Sequence, residues 1–294
     1  MRPTTALRKL LERSGALMAP GVADALSARL VRKHGFEALY MTGAGTSAVR
    51  LGMPDVGLLT MTEMVDNAAR IADAGELPLI ADADNGYGGV LNVRRTVQAY
   101  QRAGAAGIHI EDQVLPKRCG HLAGKQLVPV EEMEAKVRAA ADARTDDDFL
   151  LIARTDAIAV EGFEPALERA ARYREAGADV LFVEAPGAAE LPKIAPRLKA
   201  PLLYNMAASG KTPFLGREEI ERLGFKIIIY PNWVMLAAIR AASEVLATLK
   251  ETGTIAGVAR EVPSFREFFD LLGMPEVQEL EARYGVAESS RAKH

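Results

Sequence analysis

Short apolar runs alternate with amphipathic stretches along most of this chain. The runs at 17–19, 37–40, 77–80, 107–110, 149–153, 179–183, 201–204 and 226–230 have the length and composition of buried strands. A helix-length segment with apolar residues at 3.6-residue spacing lies between most neighbours. Gly35, Gly75, Gly104, Gly177 and Gly224 stand just before strands, where a helix C′ glycine is expected. Two units repeat each other closely: Ala103-Gly104-Ala105-Ala106-Gly107-Ile108-His109-Ile110-Glu111 and Ala176-Gly177-Ala178-Asp179-Val180-Leu181-Phe182-Val183-Glu184. Strands joined through helices run parallel, so eight such units predict an α/β fold of the (β/α)8 TIM-barrel type, with a doubly wound open sheet as the alternative.

The spacing predicts the eighth helix over 233–250 and further helices over 264–272 and 275–284. On this reading residues 1–294 form a single barrel domain. Residues 251–294 are a C-terminal helical extension that packs on a partner subunit or on its own barrel, and the polar end after Tyr284 is expected to fray.

Composition narrows the function classes. Hydrophobic residues make up 49% of the 294, enough for a large core, and the formal charge of −3 gives no electrostatic case for binding nucleic acid. No apolar run approaches the roughly 18 residues of a membrane span, and no secretory h-region follows the N-terminus. A single cysteine excludes an internal disulfide, and together these features predict a reducing, cytoplasmic setting.

Polar residues concentrate at the strand ends, where barrels of this type carry their reacting groups. They are Thr42, Asp82, Asp84, His109, Glu111, Arg154, Glu184 and Asn205. Two-residue periodicity places Asp82 with Asp84, and His109 with Glu111, on one side of their strands. One strand-end carboxylate is usually a helix cap or a solvated charge. Four carboxylates converging on one mouth repel each other unless protons or a cation hold them, and Mg²⁺ or Mn²⁺ with oxygen ligands and several waters meets that need.

Cys119 lies in a short basic loop, Lys117-Arg118-Cys119-Gly120-His121, whose charges favour a thiolate. A Cys–His–Asp hydrolase is compatible with this composition, but acids around a metal suit proton transfer beside a carbonyl better. Thr42-Gly43-Ala44-Gly45 has the form of a backbone loop for a substrate carboxylate. Arg154 is a natural bidentate partner for a second carboxylate, or else an ion-pair partner of Glu184 or Asp156. Asn205-Met206-Ala207-Ala208-Ser209-Gly210-Lys211-Thr212 nearly matches a phosphate-binding P-loop but lacks its first glycine.

The Lys117–His121 signature, with the block Ile110-Glu111-Asp112-Gln113-Val114-Leu115-Pro116, resembles the isocitrate lyase/phosphoenolpyruvate mutase superfamily, in particular its small methylisocitrate and 2,3-dimethylmalate lyases. The resemblance spans residues 17–250. It implies a (β/α)8 barrel, assembled as a homotetramer with a C-terminal helix swapped between paired subunits. It implies Mg²⁺ held directly by Asp84, with Asp82 and Glu111 acting through water and Asp55 nearby. Thr42, Gly43 and Ala44 would bind a substrate carboxylate, and Asn205 and Pro231 would face the substrate. Cys119, Lys117, His121, Arg154 and Glu184 would be catalytic, with the Cys119 loop a mobile lid. The activity implied is Mg²⁺-dependent cleavage of a branched 2-hydroxy di- or tricarboxylate to pyruvate and a carboxylate, Cys119 protonating the aci-carboxylate intermediate. The alternative is an oxaloacetate decarboxylase or a phosphonopyruvate-type P–C bond enzyme. Trp233, after Pro231 and Asn232, would either reshape the pocket or simply start the last helix.

Overall fold

The computed structural model describes residues 1–285; the expected frayed end lies largely outside them. Eight strands, β1 (Leu17–Val22), β2 (Leu39–Met41), β3 (Leu79–Asp82), β4 (Gly107–Glu111), β5 (Leu150–Thr155), β6 (Val180–Val183), β7 (Leu203–Asn205) and β8 (Ile227–Tyr230), form one parallel sheet in the order β6-β5-β4-β3-β2-β1-β8-β7. A parallel bridge from Leu181 to Leu202 brings the outer strands β6 and β7 together, so the sheet curls into a nearly closed barrel. This is the predicted TIM-type fold, and the open-sheet alternative falls.

The helices follow in chain order: α1 (Pro3–Glu12), α2 (Ala25–Lys33), α3 (Gly43–Leu51), α4 (Met61–Gly75), α5 (Val90–Arg102), α6 (Val130–Asp142), α7 (Phe163–Glu175), α8 (Leu191–Leu198), α9 (Arg217–Arg222), α10 (Trp233–Thr252), α11 (Phe265–Leu271) and α12 (Met274–Arg283). Strand side chains of one parity pack outward on the helices: Leu39, Met41, Leu79, Ala81, Leu151 and Ala153 belong to that layer. Those of the other parity fill the interior. Leu17, Ala19, Tyr40, Ile80, Leu150, Ile152, Val180, Phe182, Leu203, Ile227 and Ile229 form one buried cluster, and Leu7 of α1 joins it.

One glycine behaves differently from expectation. Gly75 is the last residue of α4, and Glu76 adopts the left-handed cap (φ 51°). A Cβ on Gly75 would stand 2.4 Å from Leu39 Cδ1, so close packing against β2 is what favours glycine there.

The chain divides into two compact units, Met1–Leu236 and Ala237–His294, so the second begins inside α10, ahead of residue 251. Within the second unit Ser264 caps α11 through a reciprocal pair with Glu267, and Phe265, Phe268 and Phe269 form a ring cluster. No described helix is long and apolar enough to cross a membrane.

Candidate active site

The C-terminal strand ends of the first unit surround one cavity of about 40 Å³. It is lined by Thr42, Ala44, Asp55, Asp82, Glu111, Lys117, Cys119, His121, Arg154, Glu184, Asn205 and Pro231, together with Tyr40, Gly120, Ala207 and Asn232. Expected and unexpected residues thus share one site. A hollow of about 450 Å³ lined by Thr4, Gln98, Gln101, Arg102, Ala105, Thr145 and Asp146 is larger, but brings together no comparable set of acids, thiol and imidazole.

Strand alternation explains the membership. Thr42, Asp82, Arg154, Glu184, Asn205 and Pro231 each stand two residues beyond an interior apolar residue: Tyr40, Ile80, Ile152, Phe182, Leu203 and Ile229. The same parity that fills the barrel therefore lifts these groups into its mouth.

The acids are distinct in environment. Asp82 accepts hydrogen bonds from the Asp84 amide (2.9 Å) and the Gly43 amide (3.2 Å). Burial pushes its carboxyl up, but His109, Lys117 and Arg154 outweigh that and hold it below the ordinary range. Asp84 follows the end of β3 in a left-handed conformation (φ 47°), a strained position of the kind found at functional sites. Burial, opposed by Lys117 and reinforced by Asp82, carries its carboxyl to about 7. Burial likewise raises Glu111 well above the carboxylate range, against the pull of Arg154. Glu111 Oε1 is buried without a hydrogen-bond partner, whereas the partner of Asp84 Oδ1 is the Lys117 ammonium. Lys117 places its ammonium 2.6 Å from Asp84 Oδ1 and 2.7 Å from Asp55 Oδ1.

Among the described residues no three His, Cys, Asp or Glu side chains converge closely enough to ligate a metal together. Their chemistry is nonetheless that of hard-cation donors: Asp82, Asp84 and Glu111 offer carboxylate oxygens, Glu111 Oε1 has no hydrogen-bond partner, and burial raises the proton affinity of Asp84 and Glu111, although Asp84 itself does not line the cavity.

Arg154 is held by carboxylates. Its Nε lies 2.9 Å from Asp156 Oδ2 and 3.3 Å from Glu111 Oε2, and one Nη lies 3.1 Å from Asp156 Oδ1 and 3.2 Å from Glu184 Oε2. The ion pairs with Glu184 and Asp156 thus form together. The expected anion loop is also partly engaged. Thr42 caps α3 by accepting from the Gly45 amide, and the Gly43 amide is taken by Asp82. Gly43 itself is not among the residues lining the cavity.

The thiol differs from expectation. Burial pushes Cys119 above the ordinary thiol range despite a hydrogen bond from the His121 backbone, so it is held protonated rather than as a thiolate. The nearby cations are otherwise occupied, Lys117 by acids and Arg118 by Ala123 O (3.3 Å), and burial lowers the His121 imidazole, 3.3 Å from Glu184 Oε1, away from its charged form. Ser209, from the P-loop-like stretch, meets His121 Nδ1 at 2.8 Å, and Asn205 Nδ2 donates to Glu184 Oε2 (3.1 Å). That stretch thus packs against His121 and Glu184.

Trp233 does not line the cavity. Its Nε1 donates to Met206 O (2.7 Å) and its ring meets Phe214 edge to face, which fixes the segment after β7. Asn232 instead faces the cavity and accepts from Thr42 Oγ1 (3.0 Å). Tyr40, bound to His109 Nε2 at 2.9 Å, was legible from its parity with Thr42; the Asn232-Trp233 pair stood out in the sequence, and of the two it is Asn232 that reaches the cavity.

Comparison with known proteins adds an independent finding. The phosphoenolpyruvate phosphomutase family profile matches residues 7–250. The 2,3-dimethylmalate lyase of Eubacterium barkeri is 46% identical, with 97% of this chain and 99% of the relative covered. The 2-methylisocitrate lyase of Aeropyrum pernix is 44% identical over 100% of this chain and 95% of its own. The solved oxaloacetate acetylhydrolase, bound to 3,3-difluorooxalacetate, superposes with a TM-score of 0.91 at 40% identity, covering 96% of this chain and 97% of that one.

Proposed function

This chain belongs to the phosphoenolpyruvate phosphomutase family, and from that premise we propose that it is a carbon–carbon lyase of the phosphoenolpyruvate mutase/isocitrate lyase superfamily. Its substrate is a branched 2-hydroxy di- or tricarboxylate of the 2,3-dimethylmalate or 2-methylisocitrate type. The observation that carries this reading is the Cys119 thiol lining the same cavity as Arg154 and the strand-end acids.

In cleavage the 2-hydroxyl passes its proton to a base of the pocket, the His121 imidazole or the Glu184 carboxylate beside it, and the bond between C2 and C3 breaks. Its electron pair moves onto the departing fragment, which becomes an aci-carboxylate, while C2 becomes the carbonyl of pyruvate. Cys119 Sγ–H donates the proton that completes the carboxylate product, and a raised thiol suits a group that must be loaded at neutral pH. Arg154, oriented by Asp156 and Glu184, and Asn205 bind the substrate carboxylates. Lys117 sets the charge of the Asp55–Asp84 side of the pocket. Mg²⁺, or Mn²⁺, held by Asp84 with Asp82 and Glu111 through water, would polarise the 2-oxygen and its neighbouring carboxylate. The cavity has room for a few waters only, so the Cys119 loop must open to admit substrate and close to keep water from the carbanion.

We further propose a cytoplasmic homotetramer, and the exposed apolar side chains of the second unit, Phe265 and Phe268 among them, support helix exchange between its subunits. A second reading, cleavage or decarboxylation of oxaloacetate at the same site, is favoured by the similarity to oxaloacetate acetylhydrolase; a P–C bond enzyme would likewise use the pocket without the thiol acid.

The test is release with Mg²⁺ of pyruvate from 2-methylisocitrate and 2,3-dimethylmalate, and of pyruvate or oxalate from oxaloacetate, by wild type and Cys119→Ser. Release from a hydroxy acid that is lost in the variant, with folding and Mg²⁺ binding intact, supports the lyase. Release from oxaloacetate alone, equal in both proteins, moves the chain to the second reading.

A further inference from the structure

The loop that carries Cys119 leaves β4 and returns to α6, and its two arms pair with each other. Gln113 bridges Leu127, the Val114 amide donates to Gln126 O (2.9 Å), and the Val128 amide donates to Asp112 O (2.9 Å). This stem is anchored in the barrel. Asp112 accepts from Thr155 Oγ1 (2.7 Å), Tyr173 OH (2.9 Å) and the Asp156 amide (3.0 Å), and Gln113 O accepts from Asn85 Nδ2 (3.1 Å). The tip, Lys117 to Gly124, projects from the stem over the cavity.

Two buried stem side chains reach from this base to the tip, one on each side of the cysteine. The Gln113 carboxamide takes both backbone groups of Arg118: Oε1 accepts from the Arg118 amide (3.0 Å), and Nε2 donates to Arg118 O (2.9 Å). A side chain here imitates a neighbouring strand. Lys125 donates from Nζ to Gly120 O (2.5 Å) and to Asp156 Oδ1 (2.8 Å). Gln113 is 1% exposed and Lys125 8%. Neither lines the cavity. A buried ammonium and a buried carboxamide are costly unless their hydrogen bonds are met, and here those bonds are spent on the residues before and after Cys119.

We propose that Gln113 and Lys125 are positioning residues, a clamp that fixes the Cys119 backbone from both sides when the loop covers the cavity. Asp156 gives the clamp its register. Its Oδ1 is shared by Lys125 and by the Arg154 guanidinium (3.1 Å), so one carboxylate sets the thiol-bearing loop and the substrate-binding arginine relative to each other. Opening the loop gives up both Gln113 bonds, the Lys125 bond to Gly120, the Cys119 amide bond to Asp55 O (3.1 Å) and the Lys117 pairs with Asp55 and Asp84, while Lys125 keeps Asp156. The stem therefore stays charge-balanced and ready to recapture the tip. The contribution to turnover rests on the lyase reading; the clamp itself does not.

The test uses the full-length protein and follows alkylation of Cys119 by iodoacetamide in wild type, Gln113→Met and Lys125→Met, beside kcat and KM for the hydroxy acid that wild type cleaves. Gln113→Met removes no charge, so it decides the matter if Lys125→Met does not fold. A freed tip should raise the alkylation rate about tenfold and lower kcat by about ten- to hundredfold with little change in KM, as misplacing a reacting group by about an ångström does. Unchanged alkylation in folded variants overturns the clamp, whatever the wild-type activity. Faster alkylation in variants of a protein that cleaves no hydroxy acid sustains the clamp and refutes the lyase reading.

Discussion

Gly120→Ala tests closure of the Cys119 loop over the Arg154 guanidinium. Gly120 does not sit in the left-handed region, so alanine pays no backbone penalty there. Its Cβ would stand 2.0 Å from an Nη of Arg154, 3.0 Å from Glu184 Cγ and 3.1 Å from Asp156 Oδ1. Arg154 cannot withdraw cheaply, because that nitrogen is 3.1 Å from Asp156 Oδ1 and 3.2 Å from Glu184 Oε2. Overpacking of this kind costs about 1–3 kcal/mol. The cost falls on the closed state alone, since lifting the tip removes the clash. At about 1.4 kcal/mol per tenfold, the closed population and with it kcat/KM should fall by about five- to 150-fold. The assay is pyruvate release from the cleaved hydroxy acid, with thermal unfolding and iodoacetamide alkylation alongside. The melting temperature should stay near that of wild type, because the tip is not part of the barrel core, and alkylation should quicken. A folded variant with wild-type kcat/KM and wild-type alkylation would show that the loop closes with Gly120 elsewhere and would refute the reasoning.

The pH dependence of Cys119 alkylation tests the protonated thiol: the reaction follows the thiolate, so a group raised by burial should give a midpoint above the ordinary thiol value of about 8.5, and a midpoint below it would restore the thiolate. Asp156 lies below the ordinary carboxylate range, where Arg154 and Lys125 overcome the effect of burial. A lowered folded value contributes stability above the unfolded value and loses it as pH falls, so stability to urea should decline below about pH 4, and less steeply in Asp156→Asn. That variant leaves two buried cations short of a partner and should also lose about 3–5 kcal/mol at neutral pH.

Most of the site was legible because a barrel strand has one inward parity along its whole length. The residues that fill the interior in apolar form continue as Thr42, Asp82, Arg154, Glu184 and Asn205 at the mouth, and alternation counted along the sequence finds them. The rule stops where the strand stops. Asp84 leaves β3 in a left-handed turn, and its place beside Lys117 depends on a loop folding back over thirty residues later in the chain. Charge state was less legible than position. Lys117, Arg118 and His121 surround Cys119 in sequence and suggest a thiolate, yet each side chain finds another partner, and burial then decides for the thiol. Local sequence reports which charges are near; only the fold reports which are already spent. Gln113, though it stands in the block that carries the resemblance, and Lys125 were given no role for the same reason. A glutamine after a strand and a lysine in a loop are ordinary in sequence, and they become significant only when pairing of the two arms turns them toward the backbone on either side of the one cysteine.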